Sequence, residues 1–266
     1  MSRRTVFFDD FAGGGINRST WNVRTTGEMG VVNDEQQAYI DSAETIYTAS
    51  GRDAKGADGH VLVVHPRHRP GSVAVDGQRF DFISGRIDTR GTFEFRYGSA
   101  SARMKLPLGQ GLWPAFWLLG TGQWPDTGEI DVMEYVGEPD WVGCALHGPG
   151  YSGETPLVNK FFFPHDDVTD WHTYSVDWER EQIVFHVDGR VIYRVTRPMV
   201  RFFGDWAFDD EKFLILNVAL GGVYPFKTNA INSPYCGLPA ETVEAIRDDQ
   251  VKVLVDWIRV TQPVGT

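Results

Sequence analysis

The sequence predicts an all-β protein built as one β-sandwich. Three observations favour this fold: many short runs in which apolar and polar residues alternate, turn residues between those runs, and almost no helical pattern. The 266 residues suit one large all-β domain, and 42% hydrophobic residues can form a sizeable core. Because no repeat, linker or low-complexity segment interrupts the chain, we expect a single domain over residues 1–266.

The first half of the chain predicts short strands joined by turns and loops. Residues 50–59 contain Ser50 and three glycines and are typical of turns, and residues 66–80 predict a loop or an irregular hairpin. The polar residues 33–39 predict either a solvated loop or the rim of a cleft. The predicted strands cover residues 5–8, 60–65, 82–86, 91–97, 100–106 and 109–119.

The second half predicts the central strand, a hairpin and one helix. Residues 213–220 are almost continuously apolar, which indicates a strand buried on both faces. Asp188-Gly189 separates two alternating runs and predicts a hairpin turn. Residues 239–250 begin with proline and predict the one helix. Further strands are predicted at 129–134, 142–147, 171–178, 182–187, 190–195 and 251–260.

Charge and composition exclude several function classes. The net charge of −11 argues against a nucleic-acid ligand, and no apolar run is long enough for a transmembrane helix. The amino terminus does not resemble a signal peptide, so the compartment stays open. No CxxC or HExxH pattern indicates zinc or redox chemistry. Cys144 and Cys236 are expected to be two buried thiols, and a single disulfide between them is the alternative. We expect a monomer without a membrane partner.

Three carboxylates, Glu129, Asp131 and Glu134, are concentrated in six residues of an otherwise apolar strand. Side chains alternate between faces along a strand, so Glu129 and Asp131 share one face and Glu134 falls on the other. A β-bulge at Val132-Met133 would bring Glu134 to the same face. Like charges in a row destabilise a strand, which suggests catalysis. The alternative is a polar, solvated strand face.

Paired carboxyl groups are the chemistry that glycoside hydrolysis requires. We assign Glu129 as the nucleophile, Glu134 as the acid/base and Asp131 as the residue that tunes Glu129. The spacing along the strand does not by itself distinguish a retaining from an inverting reaction.

Aromatic residues surround the acids in the sequence. The apolar faces of sugar rings stack on indole, and Trp113 and Trp117 have the parity to share one strand face. Trp124 lies in a loop just before the acids, and His147 has the parity to face the same cleft. Core packing is the alternative for each tryptophan, and a structural role is the alternative for His147.

These motifs resemble glycoside hydrolase family 16, and within it the bacterial laminarinases, which are endo-β-1,3-glucanases. The residues that carry the resemblance are Leu112–Leu119, Trp124–Gly137 and Leu146–Gly148, with supporting matches at 33–39, 83–86, 97–107, 171–178, 216–222 and 255–260. The bulged E-x-D-x-x-E spacing is similar to laminarinases, whereas the shorter E-x-D-x-E marks lichenases and xyloglucan enzymes.

The resemblance implies a concanavalin A-like jelly roll whose concave sheet carries a β-glucan cleft. It implies a retaining double displacement by Glu129, Asp131 and Glu134 that needs no cofactor. Positions that match the family's cleft are Asn33, Arg86, Trp113, Trp124 and His147. The resemblance also implies a structural calcium ion on the convex side. Its matching positions are Asp10 and Gly59, through their carbonyls, and Asp256.

The sequence departs from the family pattern at two places. Val223-Tyr-Pro-Phe226 stands where the family often has Trp-Pro-Gly, so Tyr224 or Phe226 would have to substitute at that rim. Residues 229–250 form an insertion that is either a surface decoration or a wall at one end of the cleft. Alternatives on the same scaffold are a mixed-linkage β-1,3-1,4-glucanase, a β-1,3-galactanase and a transglycosylase. A glucan-binding lectin is the alternative of another class, and the presence of all three acids argues against it.

Overall fold

The computed structural model describes residues 2–52, 54–74, 77–164 and 168–264. In chain order the strands are β1 (Arg3–Asp9), β2 (Asn22–Val23), β3 (Gln37–Tyr39), β4 (Ile46–Ser50), β5 (His60–Val64), β6 (Arg67–Val73), β7 (Arg79–Ser84), β8 (Arg86–Asp88), β9 (Glu94–Phe95), β10 (Gly98–Lys105), β11 (Leu112–Gly120), β12 (Glu129–Glu134), β13 (Trp141–His147), β14 (Leu157–Phe162), β15 (Trp171–Trp178), β16 (Gln182–Val187), β17 (Arg190–Thr196), β18 (Lys212–Leu220) and β19 (Val253–Pro263). The helices are α1 (Thr26–Met29), α2 (Arg197–Val200), α3 (Val223–Asn229) and α4 (Ala240–Arg247).

Two antiparallel sheets form the predicted jelly-roll sandwich. The first has the strand order β17-β16-β15-β10-β19-β5-β4, with β1 also paired to β19. The second has the order β14-β13-β12-β11-β18-β8-β2, with β9 also paired to β18. Apolar residues from the inner faces of both sheets fill one core, in which Met104, Phe116, Trp178 and Leu216 are fully or almost fully buried. The acidic strand β12 therefore lies in the middle of the second sheet.

Local predictions for the strands are largely confirmed. Every residue of β18 is buried, as its continuous apolar run indicates. Asp188 and Gly189 both have positive φ, 51° and 75°, which suits the tight turn between β16 and β17. Residues 66–80 form a hairpin of β6 and β7 with an irregular register, although residues 75 and 76 lie outside the described residues. Strands β2, β3, β4 and β14 are not predicted, and neither is the parallel pairing of β3 with β7 that completes a small third sheet.

The prediction of a single helix is incomplete, because α3 directly precedes α4 and two four-residue helices, α1 and α2, lie earlier in the chain. The insertion is more than a decoration. Its buried residues Leu238, Val243 and Ile246 pack with Phe82 and Leu220 in a second, smaller core. This core attaches the insertion to β7 and to the end of β18.

Two further expectations concern thiols and membranes. Cys144 is buried and Cys236 is partly exposed, and both are free. The expectation of two buried thiols is therefore wrong for Cys236, which lies in the insertion rather than in the sandwich. Among the described residues, no helix has the length and apolarity needed to cross a bilayer.

Candidate active site

The three acids lie on one face of β12 because the strand carries a bulge. Against β11, Phe116 pairs with Met133 and Trp117 with Asp131, so Val132 is the extra residue. Against β13, Asp131 pairs with Ala145 and Glu134 with Gly143, so two residues oppose one. Val132 and Met133 are both buried in the core. The bulge predicted at Val132-Met133 is confirmed, and it turns Glu134 to the side of Glu129 and Asp131.

Indole and imidazole groups hold the two outer carboxylates. Trp113 Nε1 donates to Glu134 Oε1 at 3.0 Å, and Trp124 Nε1 donates to Glu129 Oε2 at 3.1 Å. His147 Nε2 lies 3.3 Å from Asp131 Oδ2 and 3.7 Å from Glu129 Oε1. Asp131 Oδ2 is buried and accepts no hydrogen bond with good geometry from the described residues. It is therefore an acceptor available to the neighbouring acids.

The tautomer of His147 follows from its other ring nitrogen. The backbone N–H of Gly153 donates to His147 Nδ1 at 3.2 Å, so Nδ1 acts as an acceptor and carries no proton. The ring proton then sits on Nε2, which faces the carboxylates. His147 thus directs its Nε2–H at the acids, as its strand parity suggests.

Burial and mutual repulsion keep protons on this cluster. Removal from water raises the pKa of Glu129, Asp131 and Glu134, each to about 8. The negative charge of Asp131 adds to the effect at Glu129 and Glu134, while the indole N–H groups and His147 oppose it. Three such close carboxylates titrate as a coupled set, and we infer that the cluster retains at least one proton at neutral pH.

A second polar group extends the cleft away from the acids. The Arg86 guanidinium lies 5.0 Å from the centre of the Trp117 ring, and Trp117 Nε1 donates to Asn217 Oδ1 at 2.7 Å. Asn217 Nδ2 donates in turn to Tyr39 Oη at 3.0 Å. Strands β12, β11, β18 and β8 are adjacent in this order. Because neighbouring strands are about 4.8 Å apart, Arg86 lies about 14 Å from β12.

The outer rim contains Asn33 and the residues that follow β18. Asn33 is exposed, and its carbonyl accepts the Val223 N–H at 2.9 Å. The Tyr224 ring packs edge-on against Trp113, with the ring centres 5.4 Å apart. Its hydroxyl lies 3.4 Å from the point where a Cβ on Gly143 would be. Tyr224, rather than the exposed Phe226, therefore occupies the space beside Glu134.

The structure thus divides the predicted cleft residues into groups. Trp113, Trp124 and His147 contact the acids directly, Arg86 and Trp117 stack together farther along, and Asn33 lies at the rim. Sequence reasoning missed Asn217, and it placed Glu35 and Tyr39 only within the polar stretch 33–39 that could form the rim of a cleft. Glu35 accepts hydrogen bonds from Gln37 and Tyr39, and burial raises its pKa. The signal in the sequence that could have identified Asn217 is that it is a lone polar residue inside the apolar run 213–220.

Two places offer ligand atoms for a metal ion. Glu129, Asp131 and His147 each have one donor atom within 4.8 Å of the others, but these are the catalytic candidates themselves. The second place is where β1 ends and β5 begins, since the two strands pair with successive segments of β19. Strand register puts Asp10 and Gly59 at this point, next to Asp256. The buried Asp256 carboxylate accepts the Asp58 N–H at 3.0 Å and an Arg103 N–H.

Comparison with known proteins supports the family resemblance. The model of glycosyl hydrolases family 16 matches residues 25–224. A glucan endo-1,3-beta-glucosidase A1 of Niallia circulans is 31% identical over 243 residues, which cover 82% of this chain and 34% of that protein. A beta-glucanase of Rhodothermus marinus is 35% identical over 192 residues, which cover 67% of this chain and 64% of that protein. The chain therefore spans about one third and just under two thirds of these two relatives.

The fold extends the similarity over the whole chain. The structure of an endo-beta-1,3-glucanase from Pyrococcus furiosus superimposes with a TM-score of 0.83 at 31% sequence identity. The match covers 99% of this chain and 96% of the other. It includes both sheets of the sandwich and the insertion.

Proposed function

Because the chain belongs to family 16 of the glycosyl hydrolases, we propose that it is an endo-acting, retaining hydrolase of β-1,3-glucan. The observation that carries this proposal is the cluster of Glu129, Asp131 and Glu134 on one face of a bulged strand, where Asp131 is buried and the two glutamates are partly buried. The substrate class is supported by the bulged spacing and by the relatives named for β-1,3-glucan. Members of this family need no cofactor for catalysis.

In the first chemical step, Glu129 acts as the nucleophile and Glu134 as the acid. A carboxylate oxygen of Glu129 forms a bond to the anomeric carbon while the bond to the leaving oxygen breaks. Glu134 gives its proton to that oxygen, and the leaving chain departs with a new hydroxyl. Since Glu129 receives the Trp124 N–H and faces Nε2–H of His147, we place the negative charge on Glu129 and the proton on Glu134.

In the second step, water breaks the glycosyl–enzyme ester. Glu134, now ionised, takes a proton from the water as its oxygen attacks the anomeric carbon, and Glu129 leaves as a carboxylate. Two displacements restore the original anomeric configuration. Asp131 lies between the two residues on the strand, and its raised pKa allows it to share a proton with Glu129 as that charge appears and disappears.

Chemical rescue of matched variants separates the two roles. We expect Glu129→Ala and Glu134→Ala each to lose laminarin hydrolysis by several orders of magnitude with circular dichroism unchanged. With an aryl laminaribioside and azide, the Glu134 variant should yield a glycosyl azide of retained configuration and the Glu129 variant one of inverted configuration. The opposite pattern of configurations would reverse the assignment, and full activity of either variant would refute it.

Product analysis tests the substrate. The wild-type protein should release oligosaccharides from laminarin, with slower release from lichenan and none from β-1,3-galactan. Absence of cleavage in laminarin would sink the proposal, and binding of laminarin without cleavage would identify a lectin. Transfer to added sugar acceptors in place of water would identify the transglycosylase alternative.

We further propose that Asp10, Gly59 and Asp256 can hold a structural calcium ion. Two carbonyl oxygens and a carboxylate are the ligand types that calcium prefers. The Asp256 carboxylate has about four lone-pair sites and uses two of them for Asp58 and Arg103. Calcium should then raise the melting temperature more than magnesium does, and Asp256→Asn should remove this difference. An equal effect of the two ions on the wild-type protein would argue against the site.

We also propose that residues 1–266 make up one catalytic domain that works as a monomer. The insertion shares a core with strands of the sandwich, so the two should unfold together. Light scattering coupled to size-exclusion chromatography should give the mass of one chain, 29.9 kDa. A single calorimetric transition is expected, and two separate transitions would contradict the one-domain proposal.

A further inference from the structure

Lys212 is a buried lysine that the catalytic proposal does not use. It is the first residue of β18 and has no solvent exposure. Its ammonium group donates to the carbonyl oxygen of Thr127 and, at 3.3 Å, to that of Ala207. The faces of Trp178 and Phe208 lie 5.4 and 5.6 Å away. Lysine is rarely buried without a carboxylate partner. Among the described residues, no carboxylate accepts a hydrogen bond from the Lys212 ammonium group, whose acceptors are the two backbone carbonyls.

This arrangement carries a cost that simple packing would avoid. Loss of hydration lowers the pKa of Lys212 from its ordinary 10.5 to about 8, although Asp209 and Asp210 nearby partly offset the effect. A methionine would fill a similar volume without burying a charge. The ammonium group therefore has a role that depends on the contacts it makes.

The two carbonyls belong to segments that meet directly behind the acids. We call residues 121–128, which connect β11 to β12, the tryptophan loop. Gly128 has φ of 69°, and a Cβ added to it would lie 2.3 Å from the Ala207 carbonyl oxygen. Gly120, where the loop leaves β11, pairs with Lys212 and has no room for a Cβ because of Thr127. The ammonium group thus joins the carboxyl-terminal end of the loop to the segment that precedes β18, and the backbone of Lys212 pairs with Gly120 at the other end.

The middle of the tryptophan loop contacts the catalytic candidates. Trp124 donates to Glu129 Oε2 at 3.1 Å, and its ring centre lies 6.1 Å from that of His147. Glu129 itself follows Gly128 in the chain. A shift of Thr127 would therefore move both the donor and the acceptor of the Trp124–Glu129 hydrogen bond.

We propose that Lys212 is a positioning residue, whose buried ammonium group fixes Thr127 against Ala207 and thereby holds Trp124 against Glu129. This inference rests on the proposed reaction at Glu129. Lys212 itself does not reach the substrate, because it is covered on the inner side of the sheet. Its effect on turnover passes through the tryptophan loop.

Kinetics of matched variants test the inference. Lys212→Met removes the charge and keeps the length of the side chain, and we expect kcat/KM on laminarin to fall about 10- to 100-fold, as for small misplacements of a reacting group. Arg90→Met is the control. Arg90 donates to the carbonyl of Thr121 in the same loop at 3.2 Å but is exposed, and its loss should change kcat/KM less than about threefold.

A double-mutant cycle with Trp124→Phe distinguishes positioning from general damage. If Lys212 acts through Trp124, adding Lys212→Met to the Trp124→Phe variant should reduce kcat/KM by less than about threefold. The inference would be overturned if the loss of kcat/KM in the double variant equalled the product of the losses in the two single variants. It would also be overturned if Lys212→Met had the kcat/KM of the wild-type protein. Should that variant fail to fold, Lys212→Gln, which keeps a donor without the charge, replaces it. A wild-type protein that does not cleave laminarin would instead refute the proposed function.

Discussion

Replacing Lys212 by methionine should change the stability of the protein in a pH-dependent way. In the folded state the pKa of Lys212 is lowered to about 8, whereas an unfolded lysine titrates at 10.5. Between these two pH values the unfolded chain binds more protons than the folded one. The free energy of unfolding contributed by Lys212 therefore rises with pH in this window.

The size of the effect follows from the two pKa values. Each pH unit between them corresponds to about 1.4 kcal/mol, so the buried charge costs about 3 kcal/mol at pH 7, and this cost is absent at pH 10.5. Methionine carries no such cost. The difference in free energy of unfolding between Lys212→Met and wild type should therefore be about 3 kcal/mol more in favour of the variant at pH 7 than at pH 10.5.

Urea unfolding of both proteins at several pH values is the suitable assay. Because other titrating groups are common to the two proteins, their contributions cancel in the difference. A stability difference that stays constant from pH 7 to pH 10.5 would refute the reasoning, since Lys212 would then have an ordinary pKa in the folded state. Higher stability together with slower turnover would fit a buried charge that serves the active site.

The remaining predictions concern the pH dependence of laminarin hydrolysis. Since the protonated form of Glu134 is needed and its pKa is raised to about 8, kcat/KM should fall as the pH rises through about 8; a flat alkaline profile would contradict this. Trp113→Phe removes a donor that favours ionised Glu134, so the alkaline limb should move up by about 1 pH unit. Trp124→Phe removes the donor to Glu129, so the acidic limb should move up by a similar amount; no movement of either limb would show that the indoles do not tune these acids.

The fold class and the acidic strand could be predicted because both depend on short-range periodicity. Alternating residues identified most strands, and the two-residue period of a strand placed Glu134 on the wrong face unless one residue was extra. The register of β12 against both neighbours contains that extra residue at Val132-Met133. Parity could also direct Trp113, Trp117 and His147 towards the same face.

Elements that depend on distant contacts were not predictable. Helix α3 and strand β3 are short, and partners far along the chain, such as β7 for β3, stabilise them rather than local propensity. Asn217 looked like part of a buried apolar run. Only the placement of β18 between β11 and β8 makes it the link between Trp117 and Tyr39.

The sequence by itself determined that three carboxylates share one strand face among tryptophans, because alternation and a one-residue excess are local properties. The tertiary structure alone decided how each acid is held. Burial between neighbouring strands raises the pKa values, and the donors come from other elements: Trp113 on β11, Trp124 in its loop and His147 on β13. Lys212 shows the same division, since its charge is evident in the sequence, but its burial behind the tryptophan loop depends on a strand far along the chain.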